Sequence, residues 1–135
     1  MPLRRPLARG PGGKVCPAVV LAAVLLHDSG WTEFDMDPGL DDEGRPRTFD
    51  RMPLAEHLEI WRSSVRRAAM FSRYAGLLVA NRFADLVDLK SASLIEKGDT
   101  AGGRATEAFR AEMDRLLASW RESLRPDARY SPYLD

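Results

Sequence analysis

His27 and Asp28 stand side by side at the end of an apolar run of the 135-residue chain, an imidazole and a carboxylate in adjacent positions. Neutral imidazole offers a nitrogen and the carboxylate an oxygen, so together they can share a divalent ion. Apolar surroundings would strengthen that ion's field on a bound water. Two donors fall short of a full shell. The only other histidine, His57, lies three residues after Leu54 and four before Trp61, so it borders the apolar face of a helix and can turn inward. Asp35 and Asp37, in the acidic stretch that follows the pair, are further oxygen donors. The expected ligand set is therefore His27 and Asp28, with His57 and Asp35 as contributors, and the expected cofactor is a divalent metal ion. The same residues also suit a plainer role, with His27-Asp28 hydrogen-bonding locally at a helix end and His57 as a partly buried helix position. The sequence leaves both open.

Other chemistries find less support. Counted as a calcium loop from Asp35, the acidic stretch puts Leu40 where a glycine is needed and Pro46 where a bidentate glutamate is needed. Cys16 is alone, which excludes an intramolecular disulfide and a Cys-based zinc site and points to a reducing, cytoplasmic setting. There is no Gly-x-Ser-x-Gly elbow and no glycine-rich phosphate loop. Trp31, Trp61 and Trp120 fall in separate elements, as core or loop anchors would.

Acidic and basic residues balance at 20 each, so no net field gathers nucleic acid or anionic lipid from a distance. Neither nucleic acid nor a membrane is an expected partner. Arg4, Arg5, Arg9 and Lys14 precede the apolar run of residues 15–26 in the order of a secretory signal. That run ends in His27, Asp28, Ser29, Gly30 and Trp31 rather than the small residues a signal peptidase reads, and it is shorter than the roughly 20 residues of a bilayer span. A buried helix is the preferred reading.

The length suits one domain, expected over residues 15–135 behind a disordered Pro/Gly/Arg arm at 1–14. Residues 17–27 are apolar all round, which predicts a helix buried on every side, with Gly30 as its left-handed end. The Asp/Gly/Pro-rich residues 32–50 predict a long loop. A second helix is expected from about Pro53 to Met70, started by Asp50 or Arg51, with Leu54, Leu58, Trp61, Val65 and Ala68 on one face. A third, about Ser72 to Leu89, is apolar enough to lie in the core. Ser91 to Gly103 reads as a flexible connection whose Asp99 or Thr100 helps start the next helix. That helix, about Arg104 to Leu124, carries the cleanest stripe, with Glu107 near Arg110 and Glu112 near Arg115 on its wet side. Nothing alternates like a strand. The expected fold is all-α, an irregular bundle of about four helices.

The run His27-Asp28-Ser29-Gly30-Trp31, then Phe34-Asp35, Pro38, Gly44-Arg45-Pro46, Phe49, Pro53-Leu54, Glu56-His57-Leu58 with Trp61, and Tyr74-Ala75-Gly76-Leu77-Leu78-Val79 resembles an uncharacterised bacterial family, domain of unknown function 3891. The segment from Phe109 to Leu134, with Asp127, Tyr130 and Pro132, extends the resemblance. It implies a domain similar to the HD superfamily of metal-dependent phosphohydrolases. His27 and Asp28 would then be metal ligands, and the metal would activate water against a small phosphorylated substrate, an ester or anhydride. The chain departs from the family pattern in four places. An upstream helical segment with its own histidine is replaced by the arm at 1–14. Asn81-Arg82 stands where a histidine tends to follow the Leu-Leu-Val run, and Ser29 where a second acidic residue often follows the dyad. The chain also stops at Asp135, before an expected terminal helix. These departures imply a domain truncated at both ends, an incomplete or inactive hydrolase, and exposed apolar surface that favours self-association. The alternative is a non-catalytic helical scaffold or interaction domain.

Overall fold

Side chains that recur every three to four residues need a helix to share one face, and the backbone follows that pattern through most of the chain. The computed structural model describes residues 17–48 and 52–135. The arm expected at 1–14 and the helix start expected at Asp50 or Arg51 lie outside those residues. The helices are α1 (Pro17–Leu26), α2 (Thr32–Met36), α3 (Leu54–Phe71), α4 (Arg73–Glu96) and α5 (Thr100–Leu124). Single turns of 3-10 helix at Ser29–Trp31 and Ser131–Tyr133 complete the order. Among the described residues there is no strand, only an isolated pairing of Leu40 with Pro46. The molecule is an all-α bundle, and none of these helices is long and apolar enough to cross a membrane.

The antiparallel pair α4–α5 forms the largest interface, with α3 laid against α4 and α1 against α4 and α3. The stripe of α5 supplies Phe109, Met113 and Leu117, and α4 supplies Leu77, Val79, Phe83 and Val87. Between them Trp61 of α3 stacks on Phe83 at 5.0 Å and meets Phe109 edge-on at 5.9 Å. At the far end Tyr130 stacks on Tyr74 at 4.7 Å, and Arg121 Nε donates to the Leu134 carbonyl at 2.7 Å, tying down the C-terminal segment.

Several expectations are corrected. α1 is not buried on every side: Ala23 is buried and Val19, Val20 and Leu26 rest on the core, but Leu21, Val24 and Leu25 face outward. Among the described residues its main neighbours are α3, α4 and the turn after α1, which leaves Leu21, Val24 and Leu25 uncovered by them. Gly30 is not left-handed; among the described residues the positive-φ glycines are Gly39, Gly44 and Gly98. The loop expected at 32–50 begins as the helix α2, whose polar residues face out while Phe34 turns inward. The rest bends at Gly44, where Asp41 Oδ1 accepts from the amides of Glu43 and Arg45 at 2.9 Å each.

The helix ends depart from the expected ones more than the helix positions do. α4 runs to Glu96 rather than Leu89, and the connection expected over 91–103 is only the turn Lys97–Asp99, with Gly98 at φ +80°. Gly102 and Gly103 lie inside the first turn of α5, where the Asp99 carboxylate accepts from the Gly102 amide at 2.8 Å. The surface pairs of α5 also differ. Arg110 reaches Asp88 and Asp114 rather than Glu107, and Glu112 binds Arg62 of α3 at 2.7 Å rather than Arg115.

Candidate functional site

α1 ends where its last carbonyls need partners, and the next residues provide them. His27 Nδ1 lies 2.5 Å from the Val24 carbonyl oxygen, to which it donates, and Ser29 Oγ donates to the Leu26 carbonyl at 2.7 Å. With Nδ1–H committed to that carbonyl, the ring's other nitrogen, Nε2, points to Asp28 Oδ2 at 3.1 Å. Both side chains remain well exposed, His27 at 43% and Asp28 at 66%. The pair thus combines a local helix-end bond with a direct contact between one ring nitrogen and one carboxylate oxygen.

The turn that follows is pinned from the side. The Gly30 amide donates to Ser64 Oγ at 2.8 Å, and Ser64, fully buried in α3, donates in turn to the Ile60 carbonyl at 3.3 Å. This polar clamp fixes the dyad's position relative to α3. The sequence reading missed it, since Ser64 occupies a core-facing position in a stripe recognised only by its apolar members.

The other expected contributors are placed differently. His57 turns inward, as its spacing suggests, but its ring is edge-on to Trp31 at 5.3 Å and to Trp61 at 5.0 Å. Burial, with a smaller contribution from the Lys90 charge, lowers its pKa below 6.5 and favours the neutral ring. Asp35 is exposed on α2, and Asp37 edges a separate hollow between α2 and α3. That hollow is closed on one side by Arg47, which pairs with Glu56, donates to the Pro38 carbonyl at 2.7 Å and lies over the Phe34 ring at 5.6 Å. Among the described residues no group of three or more His, Cys, Asp or Glu is placed to hold a metal ion. The structure therefore brings together His27 and Asp28, and brings neither His57 nor Asp35 to them.

Beside His27 lies a shallow hollow of about 230 Å³ between α1 and α4, lined by Val20, Ala23, Val24, Leu78, Val79 and Arg82. Arg82 makes no ion pair among the described residues. The signal for it was its spacing, one helical turn after Leu78, which puts it on the α4 face that meets α1.

An all-helical domain with an adjoining His-Asp pair at a helix end is thus the class of protein defined by fold and site. The chain belongs to the family of proteins of unknown function DUF3891, whose model matches residues 13–131. No match was found among curated proteins or among solved structures.

Proposed function

We propose that this chain is a remnant of an HD-like, metal-dependent phosphohydrolase that keeps a two-donor seat for a divalent ion, with no further ligand gathered at it among the described residues. The observation that carries it is the placement of His27 Nε2 and Asp28 Oδ2 3.1 Å apart, with the imidazole tautomer held by the Val24 carbonyl. Adjacent ligands in an octahedral shell at about 2.1 Å from the ion are themselves about 3 Å apart, so the pair fits two neighbouring positions. Metal ligands of this kind commonly have their second ring nitrogen fixed by such a carbonyl bond. When bound, the ion would supply Lewis acidity and an activated water. His57, edge-on to Trp31 and Trp61, and Asp35, exposed on α2, are not part of this two-donor seat.

The remnant character rests on Arg82. The family resemblance expects a histidine just after the Leu-Leu-Val run, and there the chain offers a guanidinium to the hollow beside His27. A guanidinium carries a permanent positive charge and no lone pair to give, so it repels a cation instead of binding one. The expected behaviour is weak uptake of metal and no turnover of phosphate esters above background. Elemental analysis and titration calorimetry on the purified chain, beside Asp28→Ala, test this. Wild type should take up about one equivalent after incubation with manganese, iron or zinc and lose it on dialysis, while Asp28→Ala takes up none. If both stay metal-free the metal reading is abandoned; tight stoichiometric metal with phosphatase turnover would overturn the remnant reading instead.

A second reading is a non-catalytic helical interaction domain, in which His27-Asp28 only closes the end of α1. It is favoured by the outward-facing Leu21, Val24 and Leu25, an apolar patch of the kind that marks association surfaces. It expects a chelator to leave stability unchanged. A cytoplasmic setting, expected from the lone Cys16, and the absence of a nucleic-acid or membrane partner, expected from balanced charge, suit both readings.

A further inference from the structure

Leu78, Arg82, Asp85 and Leu89 fall within an arc of about 60° on α4 at 3.6 residues per turn. Leu78 and Arg82 line the hollow beside α1, so Asp85 and Leu89 continue the same face. Leu89 is 70% exposed, across the hollow α1 presents Val24 at 59%, and further round α1 Leu21 and Leu25 are exposed at 58% and 70%. No residue of α1 carries a charge. Arg82 and Asp85 take part in no ion pair among the described residues, whereas the neighbouring Asp88 is paired with Arg110 at 2.5 Å. The strip is therefore apolar at its margins, with a cation and an anion between them that are unpaired among the described residues.

We infer that this strip is the interface of a two-fold homodimer in which α4 packs antiparallel to the α4 of a second copy. The spacing is symmetric: Leu78 precedes Arg82 by four residues and Leu89 follows Asp85 by four. When Arg82 faces the partner's Asp85 in an antiparallel pair, Leu78 therefore faces the partner's Leu89, and the two-fold repeats both contacts. A register centred on Arg82 would instead set two guanidinium groups against each other. Because α1 flanks Leu78, the partner's Leu89 arrives beside Val24, and the uncharged outer face of α1 adds apolar area without opposing charge. The apolar contacts supply affinity, and the reciprocal charge pairs fix the register. The inference stands whichever reading of the dyad holds, since association is measured without metal.

Sedimentation of the full chain across micromolar to submillimolar concentration tests it, with helical circular dichroism as the check on folding. Wild type should form a concentration-dependent dimer, and Val24→Glu should remain monomeric. Asp85→Arg, which faces the partner's Arg82 with a like charge, should weaken association about tenfold or more. The charge swap Arg82→Asp with Asp85→Arg should restore it. A wild type that is monomeric throughout overturns the inference, as does a dimer indifferent to Val24→Glu. A swap no better than Asp85→Arg alone overturns the register.

Discussion

His57 is half-buried, its imidazole held edge-on between Trp31 and Trp61. Desolvation disfavours the charged ring there, and the Lys90 charge acts in the same direction. The unfolded chain releases both restraints, so its ring titrates near 6.5 and the folded ring lower. Between those two values the unfolded state binds more protons, and stability rises with pH. The stabilisation linked to His57 is thus fully present above about pH 6.5 and is lost as pH falls through the folded-state value. Urea midpoints measured from pH 8 down to 5.5 should fall below that point, and His57→Phe, which keeps an aromatic ring in the slot, should flatten the fall. If the fall persists in His57→Phe, another group carries it. The inward turn of His57 was legible from its place between Leu54 and Trp61. Its neighbour Trp31 was not, because residues 29–31 reach α3 through a fold contact that no local spacing encodes. Adjacency made the His27-Asp28 pair legible in the same way, and left the surrounding donors hidden.

The turn Ser29–Trp31 meets α3 at almost backbone-to-backbone distance. A Cβ built on Gly30 would stand 2.0 Å from the Ile60 carbonyl oxygen and 2.7 Å from Ser64 Oγ. Glycine is thus needed at this position for close approach, although the sequence suggested handedness. The same confusion arose at Gly102 and Gly103, read as a flexible connection but buried inside the first turn of α5. A glycine in sequence signals that a side chain is missing; whether a turn or a packed backbone requires it depends on the partner element. The stripes of α3 and α5 showed where those helices lie, while their ends depended on contacts made later in the chain. Gly30→Ala should push the turn off α3, break the amide bond to Ser64 and destabilise the fold by roughly 2–3 kcal/mol, read from urea denaturation. Loss of less than about 0.5 kcal/mol, the range of ordinary surface changes, would mean that the turn does not pack this closely.

At the scale of the whole molecule the absence of strand alternation was enough to give an all-α fold, since apolar residues spaced by three and four leave few other ways to bury a core. What pattern could not give was coverage. α1 reads as a core helix because every residue in it is apolar, yet burial depends on how many neighbours surround a helix, and among the described residues α1 has its main neighbours on one side. Stability should be distributed accordingly. α4 and α5 bury Phe83, Val87, Phe109 and Met113 in one another and in α3, so their amides should open only with global unfolding. α1, with Ala23 its single buried residue, and α2, with none, should open far more readily. Native-state hydrogen exchange should therefore rank α4 and α5 as most protected, α3 next, and α1 and α2 least. Since the proposed dimer covers the outer face of α1, its protection should also rise with protein concentration in wild type and stay constant in Val24→Glu. Uniform protection across all helices at low concentration would mean that α1 belongs to the cooperative core after all, and that its exposed leucines reflect an ordinary surface instead of a docking face.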